Sequence, residues 1–232
     1  MKKYNYAIVA LFSFSLLFFT GCEESEPELL VDLIVPGEEP PGENCDIGHR
    51  TQTPGGWGAP AAGNNPGALR DAYFDQVFPD GLLVGCPNGY YVRLTSAAAV
   101  EDFLPSGGKP RVLDQIYIDP SGKELKNVLA GHLVALTLSL HFDHFLEDFG
   151  ESEFLLCDLI LCSGQFPGNN VQEVMGQANR ALGGCPSQTT IVEAIELISS
   201  INENFVDGTT DNGVLCCPRG GHISTLDNDQ TI

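Results

Sequence analysis

The chain has 232 residues, of which 31 are acidic and 11 basic, so its formal net charge is −20. A surface of this sign is repelled by phosphate backbones and by anionic headgroups, which argues against nucleic acid as a partner and favours cations or basic partners. Hydrophobic residues make up 43% of the chain, enough for a real core in one large domain or two small ones.

The N-terminus combines a basic start, an apolar run and a cysteine behind two small residues. Met1-Lys2-Lys3 precedes the apolar residues 6–19, a run too short to span a bilayer comfortably, since spanning takes about 20 apolar residues. The stretch Leu16-Leu17-Phe18-Phe19-Thr20-Gly21-Cys22 resembles the lipobox of bacterial lipoproteins. The resemblance implies cleavage before Cys22 and a diacylglycerol on its sulfur. The alternative is an ordinary secretory signal peptide, with Cys22 inside a disulfide.

An acidic tract follows the cysteine directly. Glu23-Glu24-Ser25-Glu26-Pro27-Glu28 cannot form a core, so residues 22–44 are predicted to be a flexible, solvated tether. The tract resembles the signal that sends some lipoproteins of Gram-negative bacteria to the cell surface, and a spacer without an address is the alternative. Glu23 stands where the inner-membrane retention signal has Asp. We therefore expect an outer-membrane anchor, on the periplasmic face or at the cell surface, with the surface favoured and the membrane contacted through the lipid alone.

Removing residues 1–21 leaves 211 residues with a net charge of −22 and seven cysteines beside Cys22. Exported proteins keep cysteines as disulfides, so up to three bridges and one leftover thiol are expected. The adjacent Cys216 and Cys217 are predicted to bond different partners, because a ring between neighbours strains the peptide that joins them. Cys157 and Cys162 have a spacing that zinc allows, but no second Cys or His pair completes a site. The disulfide candidates are Cys45, Cys86, Cys157, Cys162, Cys185, Cys216 and Cys217.

The globular domain is predicted over residues 45–217. A strand is expected at residues 51–53, followed by two successive glycine-rich turns at residues 54–60 and 63–67. Trp57, the only tryptophan, lies in the first turn. Its ring could stack on a sugar or peptide ligand, but a ring that plugs the core is the commoner role and is favoured.

Turn and capping signals predict the next elements. Asn65-Pro66 opens a helix, which Phe78-Pro79-Asp80-Gly81 stops. Residues 82–86 and 90–95 are predicted to form a β-hairpin, and Ser96 caps a helix over residues 97–103. The apolar residues between 124 and 145 fit both a helical stripe and a strand alternation. Their length and composition favour a buried helix at least through Thr137, with extended chain as the alternative beyond it.

The last third of the domain is predicted to be a strand and two helices. The strand covers residues 154–161, and each helix opens with a capping box: Asn170-Val171-Gln172-Glu173 and Thr190-Ile191-Val192-Glu193. Gly183-Gly184 ends the first helix, and residues 218–232 form a polar tail. The chain is therefore predicted to be an α+β protein, a helix-rich single domain with short antiparallel strands that is stapled by disulfides.

Residues 51–215 resemble a secreted or surface domain found in bacterial cell-envelope proteins. Five stretches carry the resemblance: Gly55-Gly56-Trp57-Gly58, Asn64-Asn65-Pro66-Gly67, Leu104-Pro105-Ser106-Gly107-Gly108, Leu129-Ala130-Gly131 and Ile201-Asn202-Glu203-Asn204-Phe205. The resemblance implies location and architecture, and it carries over no activity and no functional residues.

Catalytic signatures are absent from the sequence. It contains neither Gly-x-Ser-x-Gly nor His-Glu-x-x-His, which argues against the two most easily recognised hydrolase classes. A metal could be held by His141, Asp143 and His144, since positions three apart share a helix face. A pair of surface histidines is favoured because no third strong ligand is evident. The histidines available as bases are His49, His132, His141, His144 and His222.

Calcium is the other candidate ligand. The loop Asp207-Gly208-Thr209-Thr210-Asp211-Asn212-Gly213 could direct the oxygens of Asp207 and Asp211 at the ion. It lacks the EF-hand spacing and the terminal Glu, so a plain helix-ending loop is favoured. We therefore expect a lipid-anchored envelope protein with a binding or structural role, with an envelope protein or glycan as partner, rather than an enzyme. The alternative is an extracytoplasmic hydrolase with a site around His132, His141, Asp143 and His144.

Overall fold

The computed structural model describes residues 48–150, 152 and 154–218. The predicted signal peptide, the tether, Cys22, Cys45 and the tail beyond residue 218 lie outside these residues. The described residues form six helices and five short strands. In chain order they are α1 (Pro54–Trp57), α2 (Pro66–Val77), β1 (Leu82–Gly85), β2 (Tyr91–Leu94), α3 (Ala97–Phe103), β3 (Tyr117–Ile118), α4 (Val128–Phe145), β4 (Ile160–Leu161), α5 (Val171–Gly183), α6 (Ile191–Asn202) and β5 (Leu215–Cys216).

The helices begin and end where their capping signals predict. Asn65 caps α2 through its Oδ1, which accepts a hydrogen bond from the N–H of Ala68 at 2.8 Å. Asn170 and Thr190 each complete a capping box with the glutamate three residues later. Gly184 ends α5 with a φ of 76°, a left-handed conformation that glycine adopts without strain. The predicted helices α2, α3, α5 and α6 are therefore confirmed.

A three-stranded sheet in the order β1-β2-β3 packs on α4 and α5 through β1. Strands β1 and β2 form the predicted antiparallel hairpin, in which Leu83 pairs with Arg93. Strand β3 joins β2 in parallel, with Ile118 beside Arg93, so one pair departs from the antiparallel prediction. A second sheet pairs β4 with β5 antiparallel. The side chains that the larger sheet turns into the core are Leu82, Val84, Val92 and Leu94.

Helix α4 is the centre of the core. It begins after its cap Asn127 and continues to Phe145, so the buried helix is confirmed and the extended alternative beyond Thr137 is wrong. Every residue from 129 to 140 except His132 is buried, and the helix packs against α1, α5, α6 and β1. Its 18 residues have a mean hydropathy of 1.2, enough by composition to cross a membrane, but 67% of them are buried inside the fold. Packing in the core explains its apolar composition.

Two disulfides join distant parts of the chain. Cys86, next to β1, is bonded to Cys185 beyond α5, 99 residues later. Cys162 is bonded to Cys216 in β5 across 54 residues, so Cys216 does not bond its neighbour Cys217. No cysteine among the described residues is a free thiol. The prediction of a disulfide-stapled, helix-rich α+β fold is confirmed.

The start of the domain differs from its prediction. Residues 54–57 form one helical turn rather than an open turn, because Pro54 occupies its first position and the Thr53 side chain caps it. Thr51 makes a single parallel bridge to Val206 instead of belonging to a strand. A proline directly after residues 51–53 ends the extended chain there before a ladder can form.

The predicted strand over residues 154–161 is also largely wrong. Only Ile160–Leu161 pair in a sheet, and the preceding residues turn. The carboxylate of Asp143 accepts a hydrogen bond from the N–H of Leu156 at 2.7 Å, which holds this part of the chain against the end of α4. A contact with a side chain 13 residues away therefore overrides the local strand signal.

Candidate functional site

Three segments meet near the C-terminal end of α4: residues 48–52, the described residues of 146–156, and residues 204–213. We call this the three-segment junction. Thr51 joins the first segment to the last, since its N–H donates to the carbonyl of Phe205 and its Oγ1 accepts from the N–H of Phe205, both at 3.0 Å. Gln52 adds a hydrogen bond from its Nε2 to the Oδ1 of Asp207 at 2.8 Å. The junction gathers three predicted site residues, Asp143, Asp207 and Asp211.

His49 lies at the centre of the junction with only 1% of its surface exposed. Its ring packs on Phe205 with 5.2 Å between ring centroids, and its Nε2 lies 2.9 Å from the Oγ of Ser152. Its Nδ1 is buried and has no hydrogen-bond partner in the part of the chain that the structure describes. Burial lowers the pKa of His49 to about 4, although Asp211 acts in the opposite direction. The imidazole is therefore neutral at pH 7.

Ser152 is placed to donate its hydroxyl proton to this imidazole. Its Oγ accepts the N–H of Phe154 at 3.2 Å, and its hydroxyl donates to the Nε2 of His49 in the tautomer that carries the ring proton on Nδ1. A serine nucleophile and its base need a hydrogen bond in this direction. A triad also needs a carboxylate on Nδ1, and no described group bonds that atom. The pair therefore lacks the partner that would orient the base and stabilise its charged form.

Asp143 extends from the last turn of α4 into the junction. Burial raises its pKa to about 6, while the hydrogen bond from Leu156 opposes the rise and the charge of Asp158 adds to it. The carboxylate oxygen that receives the Leu156 N–H satisfies a backbone donor of the loop. Its position explains Asp143 as a group that holds the loop after α4.

His141, Asp143 and His144 do not form a metal site together. The ring of His141 packs on Phe78 with 4.9 Å between centroids, and His144 is exposed. Across residues 48–150, 152 and 154–218, no three His, Cys, Asp or Glu side chains are grouped so that they could hold a metal ion. The metal hypothesis for these residues is wrong because the carboxylate turns toward Leu156 while the two imidazoles lie on the surface.

His132, the remaining member of the predicted hydrolase site, lies on another part of α4. The amide Nδ2 of Asn202 donates to the carbonyl of His132 at 2.9 Å and so joins α6 to α4. Burial lowers the pKa of His132, with Glu203 acting in the opposite direction. The half-buried ring thus belongs to a contact between helices.

Hydrogen bonds from within the fold hold the predicted calcium loop. Asp207 has a φ of 56° and accepts the Gln52 amide, while the Oδ1 of Asp211 accepts the Nδ2 of Asn204 at 3.2 Å and the N–H of Gly213 at 2.8 Å. One oxygen of each carboxylate is therefore engaged within the fold. A calcium ion here would use the remaining carboxylate oxygens and backbone carbonyls. The calcium site stays a prediction.

Trp57 is fully buried, which confirms the core role that its sequence context favours. Its ring lies 5.0 Å from the ring of Phe142 and 5.9 Å from that of Phe149. Its Nε1 donates to the Oγ of Ser139 at 3.2 Å. The alternative role in ligand stacking is wrong, because neither face of the ring reaches solvent.

An open cavity of about 540 Å³ lies between α2 and α3 and is lined by Asp71, Ala97, Ala98, Glu101 and Asp102. The fully buried side chain of Arg70 forms ion pairs with Asp71 and Glu101. Its guanidinium also donates to the carbonyl of Trp57 at 2.6 Å. Asp71 and Glu101 thus neutralise the buried guanidinium of Arg70, which is a structural role.

The contact between His49 and Ser152 is the feature that the sequence does not predict. The two residues are 103 positions apart, and no local motif joins them. One signal does precede them: Gly48 and Gly150 approach so closely that a Cβ on Gly150 would lie 2.7 Å from the carbonyl oxygen of Gly48. A glycine at position 150 is consistent with this close approach.

Comparison with known proteins assigns the chain to no family. No protein-family model matches the sequence, and no curated protein and no solved structure is significantly similar to it. The functional argument therefore rests on the residues of this chain.

Proposed function

We propose that this protein is a lipid-anchored lipoprotein of the bacterial cell envelope, held at the outer membrane through Cys22, whose domain has a binding or structural role. The observation that carries the proposal is the pair of long-range disulfides, Cys86 to Cys185 and Cys162 to Cys216. Stable bridges of this kind form outside the reducing cytoplasm, which supports export. The lipobox-like stretch that ends in Thr20-Gly21-Cys22 supports lipid attachment.

A role in binding or structure is supported by what the candidate side chains do. Trp57 fills the core, Asp143 holds a loop, and Asp207 bonds to Gln52. These groups stabilise the fold instead of converging on one reacting atom. The acidic surface, with a net charge of −20 for the whole chain, favours a basic protein or a cation as the partner.

The anchor is tested by replacing the lipid-bearing residue in cells. Cys22→Ala should abolish labelling by radioactive palmitate. Treatment of the wild type with the signal peptidase inhibitor globomycin should instead leave a labelled precursor that keeps residues 1–21, because the diacylglycerol is attached before cleavage. A matched Ser25→Ala variant, three residues farther along the tether, should keep the label. Palmitate labelling that persists in Cys22→Ala would refute the anchor. Protease treatment of intact cells then distinguishes the two addresses, since a surface protein is cleaved while a periplasmic one is protected.

Hydrolysis is a second candidate function, because the Oγ of Ser152 and the Nε2 of His49 lie within hydrogen-bond distance, as a nucleophile and its base require. A fluorophosphonate probe reacts covalently with an activated serine. Labelling that disappears in both Ser152→Ala and His49→Gln, and persists in Ser199→Ala on α6, would establish an enzyme. Absence of labelling in the wild type would leave the binding or structural role.

A further inference from the structure

Most of the exposed large apolar side chains of the described chain lie on or beside the three-stranded sheet. Seven large apolar residues of the described chain are exposed, and five of them lie on this sheet or in the segments that enter its strands. Single exposed apolar residues are ordinary, but a group on one face marks an interaction surface. The five are Leu83 (38% exposed), Tyr90 (42%), Val112 (43%), Ile116 (47%) and Ile118 (54%). Together with Arg93, they are called the sheet patch below.

The strand register places three members of the sheet patch in one row. Leu83 on β1 pairs with Arg93 on β2, and Arg93 pairs with Ile118 on β3. Paired residues of neighbouring strands point to the same side of a sheet. A cation therefore lies between two aliphatic side chains on the face away from the core.

Tyr90 and Val112 extend the patch beyond this row. The N–H of Tyr90 donates to the carbonyl of Gly183 at 2.9 Å. Val112 lies against the next residue, since a Cβ on Gly184 would be 3.2 Å from its Cγ1. Both exposed side chains thus flank the same glycine pair at the end of α5.

Arg93 has no carboxylate partner among the described residues. Its Nε donates to the backbone carbonyl of Asp80 at 2.9 Å, and the ion pairs of the described chain involve Arg70 and Arg111 instead. A guanidinium prefers a carboxylate, which it can bind with two hydrogen bonds. In a chain with a net charge of −20, this is a cation at the centre of an uncovered apolar surface.

One segment of the same chain has the complementary pattern. The stretch Leu29-Leu30-Val31-Asp32-Leu33-Ile34-Val35 has three aliphatic residues on each side of a single acid. Between Glu23 and Glu43 there are eight acidic residues and no basic one. We propose that residues 29–35 dock on the sheet patch, with Asp32 paired to Arg93 and the aliphatic side chains covering those around it.

The connecting chain is long enough for this contact. Val35 lies 13 positions before Gly48, where the described chain begins, and a separation of this length spans up to about 45 Å. This reach is comparable to the ~40 Å diameter expected of a compact domain of this size.

Docking would set the distance between the domain and the membrane, a consequence that rests on the proposed lipid anchor. Leu29 lies seven positions after Cys22, so the docked patch lies within about 25 Å of the lipid. An undocked tether would allow the domain to move several times farther away. The contact itself does not require the lipid, so its test is independent of the anchor.

Hydrogen exchange of the backbone amides in residues 29–35 tests the contact in the purified full chain. Docking should slow their exchange at least ~10-fold relative to the Ile118→Asp variant, which puts an acid beside Arg93 where it repels Asp32. The matched control is Val192→Asp on α6, which changes another exposed apolar residue (59% exposed) outside the patch and should leave the exchange slow.

A charge swap makes the test specific for the ion pair. Arg93→Glu and Asp32→Arg should each accelerate the exchange of residues 29–35, and the double variant should restore the slow rate. Equal exchange in the wild type and Ile118→Asp, with circular dichroism showing both folded, would overturn the proposal. So would a dimer in light scattering that Ile118→Asp dissociates without changing this exchange, since the patch would then join two copies of the chain.

Discussion

The disulfide between Cys86 and Cys185 should be a major source of stability. It closes a loop across 99 residues, and the chain-entropy model gives about 4.7 kcal/mol for a loop of ~100 residues. The second bridge, which spans 54 residues from Cys162 to Cys216, gives about 4.2 kcal/mol by the same relation. The spans interleave, so each bridge shortens the free loop of the other and both values are upper limits. We expect either double alanine variant to lose roughly 2–4 kcal/mol of the free energy of unfolding.

Urea denaturation followed by circular dichroism measures this loss. With an m value of ~2 kcal/mol/M, the midpoint should fall by roughly 1–2 M in Cys86→Ala/Cys185→Ala. The matched variant Cys162→Ala/Cys216→Ala should lose about 0.5 kcal/mol less, because its loop is shorter. Midpoints that stay within ~0.3 M of the wild type in both variants would refute the stapling role.

Four further results are expected. Ser139→Ala removes the acceptor of the buried Trp57 Nε1 and should lower the free energy of unfolding by ~1–3 kcal/mol, measured by tryptophan fluorescence in urea. Because the pKa of His49 is lowered to about 4, its contribution to the free energy of unfolding is complete above pH 6.5 and is lost as the pH falls through 4. The free energy of unfolding of Asp143→Asn, which retains His49, should therefore fall over this range. Because the pKa of Asp143 is raised to about 6, its contribution to the free energy of unfolding is complete below pH 3.8 and is lost as the pH rises through 6. His49→Gln, which retains Asp143, should therefore become more stable as the pH falls from 6 to 4. A calcium ion in the loop at Asp207 would raise the melting temperature in millimolar calcium over that in chelator, and Asp207→Asn should remove the rise.

A control variant or a contradicting outcome accompanies each of these results. Ser200→Ala removes a hydroxyl that donates to the helical carbonyl of Leu197, and should change stability by no more than ~0.5 kcal/mol. Slopes of the same sign in the two pH variants would contradict the opposite burial effects on His49 and Asp143. A calcium shift that survives both Asp207→Asn and Asp211→Asn would place the ion elsewhere.

The elements that the sequence predicts well are those with local causes. Asn65, Ser96, Asn170 and Thr190 each accept hydrogen bonds from backbone N–H groups within the next few residues, so their helices begin where the cap stands. The hairpin of β1 and β2 follows from its short turn in the same way.

The departures have causes that lie far away along the chain. Residues 154–159 look like a strand, but Asp143 holds Leu156 against the end of α4. The segment after Thr137 remains helical, with Leu138, Leu140 and Phe142 buried against neighbouring elements, and its ambiguous periodicity does not reveal these contacts.

The candidate site shows the same division. Burial of Trp57 agrees with the ordinary role of a tryptophan beside glycines. His49, in contrast, lies before α1 and contacts Ser152 in the loop after α4. Asp207 likewise bonds to Gln52 across 155 residues. Contacts of this separation depend on the tertiary fold, and spacing in one sequence does not specify them.

The central claim, export with a lipid on Cys22, is tested most directly by mass spectrometry of the N-terminal peptide from the mature protein, purified from the cell envelope without reduction. The account predicts a peptide that begins at Cys22 and carries a diacylglycerol on its sulfur. A peptide in which Cys22 has no lipid and is joined by a disulfide to another cysteine of the chain would contradict it.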